Sequence, residues 1–181
     1  TIGPNSDTIA TDHFNTVLYS GSANDQTIAT GLQPDWIWIK HRSGTGYHHL
    51  TDTSRGITRE MHSNVTDAET NVGRVASTSS TGFTFPATEY GYTNENGQTF
   101  VSWNWHANGG TTTSFSESGN NPAGTHQANA TAGFSIVTYT GTGADGTISH
   151  GLGAKPAWYF VKNRDVNTHN WLTWHQVLAT N

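Results

Sequence analysis

The sequence predicts an all-β fold, an antiparallel β-sandwich of jelly-roll or concanavalin-like type. Three observations carry that prediction: composition, a period-two alternation of apolar residues, and an internal repeat. Among 181 residues only 12% are charged, whereas Gly and Thr number 20 and 30. So little charge argues against a coiled coil, a surface-charged helical bundle or a disordered polyelectrolyte. Thr suits a pleated, half-exposed surface, and Gly supplies turns. The 7 Trp, 7 Phe and 6 Tyr provide large apolar area for a core. A chain of this length forms one ordinary domain or two small ones.

Residues 1–12 read as an N-terminal arm; the start lacks Met and a signal-peptide pattern, as in a processed or excised segment. Residues 13–109 read as a first sandwich unit, opening with the strand Phe14 to Ser20 and the turn at Gly21. From Asp35 to His41, Trp36, Trp38 and Lys40 share one face while Ile37 and Ile39 share the other. Apolar weight on both faces predicts a central strand. Gly44-Thr45-Gly46 marks a turn, and Ser54 to Ser63 reads as the one helical turn. Gly82 to Phe85 is a short strand, followed by a turn at Asn94 to Gly97. Between 99 and 106, Val101, Trp103 and Trp105 share an apolar face, and Ser102, Asn104 and His106 a polar face expected toward solvent. Trp36, Trp38, Trp103 and Trp105 are assigned to the core. Residues 110–130 are rich in Gly, Thr, Ser and Asn and read as a linker. Residues 131–181 read as a partial second unit.

That second unit is visible as a repeat offset by about 120 residues. Phe14 to Gly21 aligns with Phe134 to Gly141, and Ile28 to Leu32 with Ile148 to Leu152. After a two-residue length difference, Pro34 to Arg42 aligns with Pro156 to Arg164. Only half of the unit recurs, as in a chain cut from a longer array or one completed by another subunit. A partner is expected to cover its sheet, giving a homo-oligomer, trimer or filament.

These residues resemble a known, uncharacterised repeat family. The blocks are Phe-x-Thr-Val-x-Tyr-x-Gly from Phe14, Gly31 to Arg42 with its Pro-Asp-Trp-Ile-Trp-Ile-Lys run, Asp52-Thr53-Ser54-Arg55-Gly56, Gly82-Phe83-Thr84, and Phe100-Val101-x-Trp103-x-Trp105. They are similar to a domain of phage tail-fibre and other virion surface proteins, and Ala132 to Gly143 resembles the start of another such unit. The resemblance implies a lectin-like sandwich at a virion surface or in an extracellular appendage, with other virion proteins as neighbours. It implies no catalytic residues. The Asn163-Arg164-Asp165 region departs from it in lacking the Asp-x-x-Arg-Gly stretch.

Charge and chemistry narrow the function further. A net charge of −5 with only 8 Lys plus Arg removes the electrostatic basis for binding nucleic acid, and no apolar run is long enough for membrane insertion. Zero Cys excludes disulfides and Cys-based metal sites. Glycoside hydrolysis needs two carboxylates about 5–9 Å apart, but Glu60, Glu69, Glu89, Glu95 and Glu117 stand singly. No Gly-x-Ser-x-Gly elbow positions a nucleophile, so no enzyme is predicted. A metal would need three or four of His41, His48, His49 and Asp52 to converge. The pattern does not recur in the second unit, where His169 and His175 are spaced differently, so no metal is predicted and the histidines read as loop or cross-strand contacts. No cofactor is predicted; a Ca²⁺ ion among Asp25, Asp35, Asp52 and Asp67 is left open, since no loop signature marks it.

Carbohydrate binding needs an aromatic plate rimmed by polar groups, and loops on a rigid sandwich supply both. The candidates are Arg42, Tyr47, His48 and His49 in one loop, and Tyr90, Tyr92 and Asn94 in another. Arg42 also has a structural alternative, pairing with Asp52 or a nearby carbonyl to fix a strand exit. The function expected is adhesion to host surface polysaccharide. The alternative is a purely structural decoration or filament subunit that shares strands between neighbouring chains.

Overall fold

The computed structural model describes residues 9–87 and 91–178. A 3₁₀ turn at Ala10–Asp12 leads into β1 (Phe14–Ser20), β2 (Gln26–Ala29), β3 (Trp36–His41), β4 (His48–Asp52), β5 (Arg59–His62) and β6 (Thr70–Asn71). Then come β7 (Ser77–Ser79), β8 (Gly82–Phe85), one helical turn α1 (Gly91–Asn94) and β9 (Thr99–Trp105). The second half carries β10 (Thr113–Phe115), β11 (Gly124–Asn129), β12 (Phe134–Tyr139), β13 (Trp158–Val161) and β14 (Leu172–His175). The fold is all-β, as expected. A six-stranded antiparallel sheet, ordered β1-β9-β3-β4-β5-β6, faces a three-stranded sheet, β2-β8-β7.

The core between them follows from alternation. Ile37 and Ile39 from β3 and Phe100 from β9 meet Ile28 from β2, Phe83 and Phe85 from β8, and Val75. Each fully buried side chain of this size contributes about 1.5–3 kcal/mol. A Cβ on Gly82 would collide with the Ile28 carbonyl oxygen, so only Gly lets β8 close on β2 there.

Three local expectations are corrected. Ser54 to Ser63 is a tight turn followed by strand β5, not a helical turn. The polar face of β9 points inward: Ser102 and Asn104 are fully buried beside Phe100. Asn104 is tolerated because its Nδ2 donates to the Asn15 carbonyl and to Ser102 Oγ at 3.1 and 3.0 Å. The segment 110–130 is no linker, since it carries β10 and β11, and β11 pairs with both β10 and β12 in a second three-stranded sheet.

The Trp residues stand one layer away from the sandwich core. Trp36, Trp38, Trp103 and Trp105 lie on the opposite face of the six-stranded sheet, with Trp36 and Trp105 centroids 4.5 Å apart. The second half covers part of this face: Phe160 lies 5.6 Å and Phe134 6.0 Å from Trp36. Hydrogen bonds fix the contact. Gln127, fully buried, donates to Thr53 and Ser54 hydroxyls and accepts from the Asn108 and Gly110 N–H groups. Trp171 Nε1 donates to the His62 carbonyl at 2.8 Å.

One ion-pair centre ties the halves together. The Glu69 side chain, only 5% exposed, accepts from Arg55 and Arg59 of the first half and from Arg164 of the second. Burial alone would raise its pKa, but hydrogen bonds from Arg164 and Arg55 and their charges outweigh that and hold the carboxyl below its ordinary value. A carboxylate depressed in the folded state contributes its full stabilisation above the unfolded value, near 4.5, and loses it as pH falls through the folded value. Glu69→Gln is therefore expected to lower unfolding stability at pH 7 by about 3 kcal/mol. The gap between wild type and variant should close in acid, which urea unfolding across pH 3–7 measures.

Candidate functional site

The loop between β3 and β4 is held by the side chains of Lys40 and Ser43. Lys40 Nζ donates to the carbonyls of His41 and Gly44 at 2.6 and 3.4 Å, and Ser43 Oγ donates to Gln98 Oε1 and accepts from the Thr99 N–H. A Cβ on Gly44 would meet the His41 ring at 2.9 Å, so the glycine lets the loop fold flat. This brings Tyr47 to α1, where its ring lies 6.1 Å from that of Tyr92. The two tyrosines are 41% and 45% exposed and form an aromatic patch at one end of the sandwich. Beneath it, Tyr47 stacks on His62 at 4.6 Å, and Tyr92 lies parallel to His49 at 6.3 Å.

The structure thus joins Tyr47, His49 and Tyr92 but disperses the other candidates. His48 points to the opposite face of β4, where its Nδ1 accepts from Trp38 Nε1 at 3.0 Å. Its pKa is lowered, by burial first and by Lys40 second. Asn94 is fully buried: its Oδ1 accepts from the Ser22 N–H and its Nδ2 donates to the Asn24 carbonyl. It braces a turn. Arg42 is exposed and does not pair with Asp52, whose carboxylate is taken by Arg55. Tyr90 lies outside the described residues. The four aspartates considered for Ca²⁺ serve separate local roles: Asp25 accepts from the Ala87 N–H, Asp35 from those of Ala107 and Gly109, Asp52 pairs with Arg55, and Asp67 lies by His62.

A second constellation lies under the patch. β4 and β5 pair in a register that sets His49 opposite His62, and Glu60 shares the His62 face two residues earlier. His49 Nδ1 lies 3.3 Å from Glu60 Oε2 and 3.2 Å from His62 Nε2, and His62 Nε2 lies 3.6 Å from Glu60 Oε1. Arg74 Nε donates to Glu60 Oε1 at 3.2 Å. Burial lowers the His49 pKa despite Glu60. Burial of Glu60 opposes its charge, but hydrogen bonds from His49 and His62 and the charge of Arg74 hold it ionised, well below the ordinary range. Among the described residues this is the one group of three His or carboxylate side chains close enough to share an ion. Sequence reasoning missed Glu60 and His62; the signal is the alternation Glu60-x-His62 on a strand.

A family model, Domain of unknown function (DUF7483), matches residues 9–181. The chain belongs to that family. No curated protein and no solved structure matches it significantly. The site is therefore read from its own geometry, and Asn94 supplies a direct check on that reading. Asn94→Ala leaves the Ser22 N–H without its acceptor and is expected to cost about 2 kcal/mol of stability. Thermal unfolding measures this, and any ligand affinity of the folded variant should stay unchanged.

Proposed function

We propose that this chain is a repeat segment of a virion-surface appendage that adheres to host glycans through the Tyr47–Tyr92 patch. The observation that carries the reading is the convergence of these two exposed rings, one from the β3–β4 loop and one from α1, over the His49–His62 pair. Tyrosine faces pack against the C–H faces of sugars while their hydroxyls hydrogen-bond at the rim. Asp67, 54% exposed beside His62, adds an acceptor for sugar hydroxyls. Contacts of this size are weak singly and gain strength when units are repeated along a fibre. Tyr47→Ala and Tyr92→Ala are each expected to weaken binding to host surface polysaccharide at least tenfold, with the melting temperature little changed. Retained affinity in both folded variants, by calorimetry or glycan array, sinks the adhesion reading.

A second, structural reading rests on a different observation. In the first half β9 lies between β1 and β3, hydrogen-bonded to both. Their sequence counterparts β12 and β13 belong to separate sheets, with no strand described between them. Trp158 and Tyr159 of β13 stay 55% and 49% exposed. A strand patterned like Thr99–Trp105, donated by a neighbouring chain, fits both unpaired edges by strand addition. Light scattering over a concentration series is expected to show a defined oligomer on this reading, whereas a monomer at every concentration overturns it.

A further inference from the structure

We propose that His49, Glu60 and His62 form a zinc-binding site beneath the tyrosine patch. The argument starts from hydrogens. A neutral imidazole carries one N–H, so each ring nitrogen is either a donor or an acceptor. His49 Nδ1 faces both Glu60 Oε2 and His62 Nε2, and His62 Nε2 faces Glu60 Oε1. If His49 Nδ1 carries the hydrogen, the lone pairs of His62 Nε2 and Glu60 Oε1 oppose each other. Moving the hydrogen to His62 Nε2 sets the His49 Nδ1 lone pair against Glu60 Oε2. Placing hydrogens on both nitrogens brings two N–H groups head to head at 3.2 Å. Every neutral arrangement leaves a repulsive pair in a site where His49 and Glu60 side chains are only 3% and 6% exposed. A cation among three lone pairs removes the conflict.

The spacing and the donor set fit zinc. Zinc binds imidazole nitrogen and carboxylate oxygen at about 2.0–2.2 Å in tetrahedral geometry, which places neighbouring ligand atoms about 3.3–3.6 Å apart. The two imidazole nitrogens are 3.2 Å apart, and the Glu60 carboxylate reaches His49 Nδ1 with Oε2 at 3.3 Å and His62 Nε2 with Oε1 at 3.6 Å. One ligand atom from each residue lies within 4.8 Å of the other two. Two imidazoles disfavour Ca²⁺ and Mg²⁺, which take oxygen ligands. Arg74 Nε donates to Glu60 Oε1 at 3.2 Å, and the exposed Asp67 carboxylate lies 4.0 Å from His62 Nδ1, near the ring nitrogen that a ligating imidazole turns to an outer acceptor. Three protein ligands leave a fourth position for water. The bound ion would pin β4 to β5 and set the imidazoles on which Tyr47 and Tyr92 rest.

The test is metal binding itself, so it stands or fails independently of glycan adhesion. Chelator-treated full chain is titrated with ZnCl₂ by calorimetry, and Co²⁺ is added in parallel as an optical reporter. One zinc per chain is expected, together with the intense visible absorption of tetrahedral cobalt. His62→Ala and Glu60→Gln should each weaken zinc binding at least tenfold, while the exposed His169→Ala should not. No binding, a weak octahedral cobalt spectrum, or equal affinity in folded His62→Ala and Glu60→Gln overturns the proposal. Should a variant fail to fold, the wild-type stoichiometry and cobalt spectrum still decide.

Discussion

The structure depends on one constraint: β3 is apolar on both faces and sits in the middle of its sheet. Ile37 and Ile39 are fully buried on one side, and Trp36 is 8% exposed on the other. A sheet of that kind must be covered twice. The β2-β8-β7 sheet covers the isoleucine face with Phe83 and Phe85, and the second half covers part of the tryptophan face with Phe134 and Phe160. Gln127 and the Glu69–Arg164 pair hold that second cover in place by bonds with direction, which aromatic contact alone lacks. The docking of the two halves is thus a consequence of six residues, Trp36 to His41, and their alternation.

Alternation made β3 legible in the sequence, because both of its faces declare themselves, whereas β1 is marked by its recurrence at Phe134 to Gly141, with Phe14 and Leu18 on its exposed face. The same rule misled at β9. Ser102 and Asn104 look like a solvent face, yet they share their face with Phe100, and the tryptophans opposite them had to join Trp36 and Trp38. The usual outward preference of polar groups yields when hydrogen bonds are made internally, as the Asn104 Nδ2 makes them with Asn15 and Ser102. Segment 110–130 misled for another reason. Thr113-Ser114-Phe115 and Gly124 to Asn129 have little apolar pattern, so only their pairing with each other and of Gly124 to Asn129 with β12 makes them strands.

The candidate site was half legible on the same grounds. Tyr47 and Tyr92 stand out as aromatics in Gly-rich turns, where burial in a strand face is ruled out by local sequence. His48 and His49 are adjacent, so one must point each way along β4. Composition does not say which, and the β3 register decides it by setting Ile39 opposite His49 and Lys40 opposite His48. Glu60 and His62 stayed hidden because a helical period puts residues two apart on different faces, whereas the strand period puts them on one. A wrong period for ten residues conceals a cluster completely.

The repeat separates what a unit does by itself from what it does with a neighbour. Lys162 Nζ bonds the carbonyls one and four residues on, at Asn163 and Val166, just as Lys40 bonds those of His41 and Gly44. Asn15 reaches the Thr30 carbonyl, and Ser135 reaches that of His150. Gly31 and Gly151 share left-handed φ values of 76° and 72°. These features recur because local sequence dictates them. Arg42 and Arg164 occupy matching positions and behave differently: Arg42 is exposed, and Arg164 is bound to Glu69 of the other half. The difference comes from the neighbour, which marks this arginine as a contact residue between units. On the structural reading, Arg42 would play toward a preceding unit the part that Arg164 plays here. β13 carries the same two-faced character as β3, with Trp158 and Phe160 on one side and Tyr159 and Val161 on the other, and its exposed rings are the surface where that constraint still acts.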